Sequence, residues 1–231
     1  MLLWERINHL IRTDPRVQFR GDAGFPRIIV DSVPDMGASM ELPEREPDVR
    51  PIVLDAVHGL CKAGATAVGI ACNTTQYFAR EIGAMCSRFG ARFVSLAEET
   101  AAYLERTQTN SFDLLGIKSV TDLDGWSDFG RALGGFDVHV PDPRQVEAIT
   151  ELAFRVKREL VTPATVNRLR DLINRSTETD TVVLALTELS ILWSRQNGPP
   201  RSGKRFIDTL DILASSMAEI YLEERIATGG A

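Results

Sequence analysis

The chain has 231 residues, 44% apolar and 25% charged, with a net charge of −6. That is the make-up of an ordinary folded protein with length for one large domain or two small ones, and its acidic balance argues against nucleic-acid binding through a bulk field, which needs a basic face. No apolar run approaches the roughly 20 residues that cross a bilayer; Glu5, Arg6 and Asn8 interrupt the N-terminal apolar pattern, so no signal peptide is expected, and three cysteines at spacings that match no zinc site point to a reduced, cytoplasmic setting.

In chain order, Leu3, Trp4, Ile7, Leu10 and Ile11 share one face of a first helix, Leu2 to Arg12. Phe25 and the run Arg27 to Val30 read as a strand. Pro51 can open a helix as its first residue, with Ile52, Val53, Ala56, Val57, Leu60 and Cys61 at helical spacing and Gly64 as its stop. Ala65 to Ala71 reads as a buried parallel strand, followed by a helix from about Thr75 to Phe89 closed by Gly90. A short strand Arg92–Leu96, a helix 98–107, a strand 113–117, a helix 126–133 and a strand 136–140 come next. Two helices follow, about 144–160 and 164–175, then a buried strand 182–186. Arg195 to Lys204 is a turn-rich loop and a candidate lid, in which Arg195, Arg201, Lys204 and the adjoining Arg205 read as a solvated cluster. Phe206-Ile207 is a last strand, 208–225 a last helix, and 227–231 a frayed tail.

Seven strands alternating with helices imply an α/β fold with parallel sheets. Ligands of such sheets sit at the carboxyl ends of strands. Two ends stand out: Ala71-Cys72-Asn73-Thr74 and Leu186-Thr187-Glu188. Cys72 stands between a strand and a helix, and Asn73 and Thr74 are residue types that cap helices. The N–H groups of a helix start favour an anion, either a thiolate or a substrate carboxylate. The bland alternative is a small apolar residue at a strand end. Cys61 and Cys86 lie inside helical patterns and read as packing, His58 and His139 as structural or exposed, and His9 as solvated.

Five blocks of residues occur together in a familiar order. GATAVGIACNTTQYFAREI resembles the first cysteine block of the aspartate/glutamate racemase family, an apolar strand ending A-C-N-T. DTVVLALTELSIL is similar to the second, an apolar strand ending G-C-T-E-L. VPDMGASM resembles the family's I-P-D-R-T segment, VPDPRQVEAITELAFRVKREL the stretch that carries a lysine, and FIDTLDILASSM the D-T-x-x-I-H-A start of the last helix. The resemblance implies two pseudo-symmetric parallel-sheet lobes facing each other across a cleft, 1–97 plus 208–231 in one and 98–207 in the other. It further implies a homodimer, no pyridoxal phosphate, metal or other cofactor, and a small carboxylate or amino-acid substrate whose α-carbon is flanked by one cysteine from each lobe. Neither nucleic acid nor membrane is an expected partner.

The chain departs from that pattern. Leu186 stands where the second cysteine would be and Ala185 where glycine is usual; leucine transfers no proton. Met36 replaces the arginine that grips a side-chain carboxylate in aspartate-specific members, giving up a fixed charge and directed donors. Leu213 replaces the last-helix histidine, and the strand and glycine-rich turn with which members open, central in the first lobe, have no counterpart: the start lies too late, the chain is truncated, or another element fills the gap. By resemblance, Cys72 is the catalytic residue, and Asn73, Thr74, Thr75, Thr187, Glu188 and Lys157 bind substrate. Three readings follow: an isomerase-family enzyme acting on the α-carbon of an amino acid or small carboxylic acid with Cys72 as single acid/base, or a one-cysteine decarboxylase or lyase; an inactive descendant serving as a binding, regulatory or scaffold protein; or a racemase with an unrecognised second base such as Glu188.

Overall fold

The computed structural model describes residues 2–16, 21–158, 161–195 and 203–227. Its strands form two separate parallel sheets. In one, β1 (Ala67–Gly69) pairs with β2 (Arg92–Val94). In the other, β3 (Ser111–Leu115), β4 (Asp137–His139), β5 (Thr181–Leu184) and β6 (Arg205–Asp208) lie in the order β4-β3-β5-β6.

The larger sheet carries the core. Phe112, Leu114, Leu115, Val182, Val183 and Leu184 are all buried, so β3 and β5 are apolar on both faces, as strands covered by helices on both sides must be. Burying each such side chain is worth about 1.5–3 kcal/mol. One polar exception sets the alignment of that pair. Asp113 is buried and accepts hydrogen bonds from the N–H groups of Glu178 (2.9 Å) and Thr179 (2.8 Å) and from Thr179 Oγ1 (2.7 Å). The turn before β5 is thereby fastened to β3, and the carboxylate is satisfied as a buried one must be.

Helices join the strands. α1 (Leu2–Thr13) opens the chain, and α2 (Leu42–Lys62), α3 (Ala79–Arg88) and α4 (Leu96–Arg106) belong to the smaller sheet's half of the sequence. Ser95 caps α4 through the N–H of Glu98 at 3.3 Å. Two short helices, α5 (Lys118–Thr121) and α6 (Asp128–Ala132), precede α7 (Pro143–Arg158) and α8 (Pro163–Ser176), and a Thr162–Thr165 capping box starts α8. α9 (Thr187–Ser194) follows β5 directly. The last helix, α10 (Thr209–Ala227), returns to the beginning of the chain: Ala214, Ala218 and Leu222 pack with Ile7 and Ile11 of α1. Among the described residues no helix is long and apolar enough to cross a membrane.

Several sequence expectations give way here. The strand expected over Arg27–Val30 does not form, leaving six strands among the described residues. Ile29 and Val30 are exposed, and only Ile28 of that run packs, against α1 and α10. β propensity expresses itself only beside a partner strand, and β1, the nearest sheet element of that lobe, pairs with β2 alone. The helix expected to start at Pro51 starts at Leu42 and contains Pro47 and Pro51. Both prolines are exposed, so the carbonyls they leave unbonded face water, which lowers the penalty of an interior proline. The continuous helix expected from Thr75 is a 3-10 turn, Thr74–Phe78, followed by α3. Residues 196–202 of the candidate lid, residues 159–160 of the α7 region and the tail 228–231 lie outside the described residues. Two members of the basic cluster are engaged rather than free: Lys204 Nζ donates to the carbonyls of Thr177 and Thr179, and Arg205 Nη1 to Thr109 Oγ1 at 3.1 Å.

Candidate active site at the strand ends

Past β1 the chain runs Ile70, Ala71, Cys72 and into the 3-10 turn Thr74–Phe78. Cys72 is half-buried, whereas Asn73, Thr74, Thr75 and Gln76 are buried. Buried polar side chains need partners, and most of these hold the loop itself. Thr75 Oγ1 donates to the Cys72 carbonyl at 3.1 Å, and Gln76 Nε2 donates to the same oxygen at 3.2 Å. Gln76 Oε1 accepts from the N–H of Leu96 at 3.0 Å, tying the end of β1 to the start of α4, just past the end of β2. Tyr77 of the same turn packs on Trp126, with ring centroids 5.0 Å apart.

Gly69, the last residue of β1, is glycine for a reason of space. A Cβ there would lie 2.7 Å from Met217 Sδ and 3.2 Å from Leu213 Cδ1. α10 therefore lies against the end of β1, three residues before Cys72. Leu213 is fully buried in that contact.

The Asn73 side-chain oxygen bonds outside its own loop. It caps no helix: its φ and ψ of −68° and −35° are helical and its side chain makes no cap bond. Its Oδ1 lies 3.0 Å from Thr209 Oγ1, the hydroxyl of the first residue of α10, which also lies 3.0 Å from the Leu184 carbonyl at the end of β5. One hydroxyl thus spans the ends of the two sheets. Asn73 Nδ2 is buried and has no hydrogen-bond partner among the described residues. The helix start beside Cys72 is that of the 3-10 turn Thr74–Phe78 and not of an α-helix. α3 begins only at Ala79, and the field of a helix terminus falls off within one turn.

At the second strand end, Ala185 and Leu186 are buried and Leu186 occupies the N-cap position of α9 without a side-chain bond. Thr187 is the first helical residue, and its hydroxyl donates to Glu188 Oε2 at 3.1 Å. Glu188 is buried in the first turn of α9, where the helix dipole favours an anion. Lys157, in the last turn of α7, brings Nζ to 3.7 Å from Glu188 Oε1. Thr187, Glu188 and Lys157 thus meet at one strand end, Cys72 through Thr75 at the other, and Thr209 joins the ends. Met36 lies half-buried in the 3-10 helix Pro34–Glu41, packed on the apolar cluster between α2 and α3.

Sequence reasoning missed the polar network behind this junction. Asp208, at the end of β6, is buried. Its Oδ1 accepts from Ser190 Oγ of α9 at 2.6 Å and from the Leu210 N–H at 2.9 Å, and Oδ2 from Arg6 Nη1 of α1 at 2.9 Å. Three helices meet on one carboxylate. Desolvation and then the charge of Asp208 push up the carboxyl of neighbouring Asp211, and Arg6 opposes them; with most of that side chain open to water, the shift carries little stability. The FIDT block placed Asp208 and Thr209 at a strand-to-helix step, the same signal that singled out the other two ends. Gln76 follows ACNTT directly and carried no separate signal.

The other cysteines are closed off. Cys61 and Cys86 are buried at the ends of α2 and α3, and burial, then Cys61 beside it, push the Cys86 thiol up to about 12. A groove of about 710 Å³ lies between α2 and α3 and is lined by Asp55, His58, Arg88 and Phe89 among others, none of them a residue of this site. Among the described residues no group of three or more His, Cys, Asp or Glu side chains is placed to hold a metal ion.

Known proteins match this arrangement over nearly the whole chain. The Asp/Glu/Hydantoin racemase family model covers residues 12–217. A candidate Asp/Glu racemase of Yersinia pestis superposes with a TM-score of 0.71 at 22% identity, over 96% of this chain and 93% of that one. An aspartate racemase of Picrophilus torridus gives 0.69 at 17% identity, over 94% and 87%. An aspartate racemase homologue of Pyrococcus horikoshii OT3 gives 0.64 at 18%, over 94% and 91%. At these identities the structures speak for the fold. No curated protein matches the sequence.

Proposed function

The chain belongs to the Asp/Glu/hydantoin racemase family, and from that premise we propose that it moves a proton on and off the α-carbon of an amino acid, without a cofactor, using Cys72 as its single acid/base. The observation that carries the reading is the half-buried Cys72 beside a buried Asn73 whose amide nitrogen has no partner. That nitrogen suits an α-carboxylate, whose oxygens gain charge as the proton leaves; a donor fixed in place beforehand stabilises that charge without reorganising. The Glu188 carboxylate suits an ammonium group and is held near its own counter-charge, Lys157, so an amino acid fits better than a plain carboxylic acid. Met36 gives no grip on a second carboxylate, which argues against aspartate held in the usual way.

In the forward step the Cys72 thiolate takes the Cα proton, becoming a thiol, and the C–H electron pair passes into the carboxylate. In the return step the thiol gives a proton back to the same face. Leu186 donates nothing from the other side. The expected chemistry is therefore α-proton exchange with configuration retained. A homodimer in the cytoplasm accompanies this reading.

A non-catalytic role is the second reading, favoured by the full burial of Leu213 and the near-complete burial of Leu186 at positions where the family carries histidine and cysteine. One measurement separates the two. The protein is incubated in heavy water with both hands of alanine, aspartate and glutamate and with small carboxylic acids, wild type beside Cys72→Ala. Deuterium is expected at the α-carbon in the wild type and about 100-fold less in the variant, the lower end of acid–base contributions. Equal incorporation in both, or none in either, sinks the single-base enzyme.

A further inference from the structure

Thr209 is the threonine of the D-T step in the last of the five blocks and was given no role at the site, yet it is completely buried and makes the contact between the two strand ends. A hydroxyl has one proton to give, so its two 3.0 Å contacts, to Asn73 Oδ1 and to the Leu184 carbonyl, are alternatives as donations. If the proton goes to Asn73 Oδ1, the amide of Asn73 is fixed with its N–H2 turned away from Thr209. If it goes to the Leu184 carbonyl, the Thr209 oxygen is left as an acceptor, and Asn73 satisfies it only by turning its amide over and presenting C=O instead.

We propose that Thr209 is a positioning residue that selects the face of Asn73 offered beside Cys72, holding it as a hydrogen-bond donor. Three observations converge on this. The Asn73 oxygen is the atom that faces Thr209. The Asn73 nitrogen is buried and unpartnered. The backbone of Thr209 is itself anchored, since the preceding Asp208 is bonded to Ser190, Leu210 and Arg6, so the hydroxyl has little freedom to follow a moving amide. A donor suits a carboxylate, and the inverted amide would repel one. The proposal rests on the substrate reading above for its purpose, not for the amide orientation itself.

The test reads the side-chain amide of Asn73 by ¹⁵N nuclear magnetic resonance, with its cross-peak pair assigned through Asn73→Ser. In the wild type the amide protons are expected to exchange with solvent at least tenfold more slowly than those of a free asparagine. In Thr209→Val, which keeps the shape and loses the hydroxyl, exchange is expected to rise at least tenfold. Thr209→Ser is expected to stay within twofold of the wild type. Exchange at the free rate in the wild type, an unchanged rate in Thr209→Val, or a Thr209→Ser variant as fast as Thr209→Val would each overturn the assignment; the wild-type measurement decides even if the valine variant does not fold. Adding alanine, aspartate or glutamate of either hand then tests the substrate reading separately. A shifted cross-peak supports it, and the absence of any shift counts against the amino-acid ligand while the exchange rates still judge Thr209.

Discussion

The ends of β1 and β5 occupy like positions in their two sheets and have opposite characters. After β1 the chain offers a half-buried thiol and four buried polar residues, Asn73 to Gln76. After β5 it offers buried Ala185 and Leu186, and polarity resumes only at Thr187 and Glu188. The first end is held by side chains bonded to its own loop backbone. The second is held from behind, through Ser190 on Asp208. What the difference teaches is that a strand end without a reactive side chain can keep its place, provided a network elsewhere fixes the helix that follows.

The strongest way to break that comparison is to remove the network. Asp208→Ala leaves Arg6 and Ser190 without their shared acceptor and is expected to destabilise the fold by about 3–5 kcal/mol, the usual result of removing one partner of a buried pair. Glu188→Ala, whose ion-pair partner Lys157 is one-third exposed at 3.7 Å, is expected to cost less than about 1 kcal/mol. Denaturant melts of the two variants check this, and similar losses would show that the second end is held through Glu188 instead.

The comparison is sharpened chemically by Leu186→Cys, which places a thiol at both ends. If the ends differ only in that side chain, the variant should racemise an exchanged amino acid at least tenfold faster than the wild type while deuterium wash-in stays as it was. Wash-in without inversion, read by chiral chromatography, would mean that the second face is closed by packing as well as by chemistry.

The smallest effect concerns the tie between α1 and α10. Arg16 bonds both Asp14 and Glu219, and its hydrogen bonds hold both carboxyls below their ordinary range. A carboxyl whose folded value is depressed contributes stability that is present above its unfolded value, about 4, and lost as pH falls through the folded one. The wild type should therefore lose more of its melting temperature between pH 5 and pH 3 than Arg16→Gln does. Arg16 and Glu219 are exposed and Asp14 half-buried, so the difference will be modest and will shrink in salt; equal slopes would show that the tie adds nothing.

Much of this was legible in the residues. The buried run of β5 read correctly because apolar continuity is what two helical faces demand. The ends at Cys72 and Leu186 followed from strand–helix alternation alone. What failed had non-local causes. Arg27–Val30 carries a strand's composition, but strand formation is decided by a neighbour that the segment does not encode. Pro51 looked like a helix start because sequence alone does not reveal that Pro47 and Pro51 both face water. Asn73 looked like a cap because its partner, Thr209, lies 136 positions away. The candidate site was visible as two loops and invisible as one junction, since the residues that join them carry no local signal.

α10 has one more consequence, and it concerns time. α1 leaves the ribosome long before α10, the helix on which it packs. Arg6 reaches its acceptor on Asp208 across 202 positions, and at 5–20 residues per second that partner arrives roughly 10–40 s later. Until then Ile7 and Ile11 have no α10 to cover them, and the Cys72 loop lacks its buried hydroxyl. A nascent chain stalled before residue 209 should accordingly be cut by protease within α1, and the released chain should not. A helix made early is thus completed only by one made late.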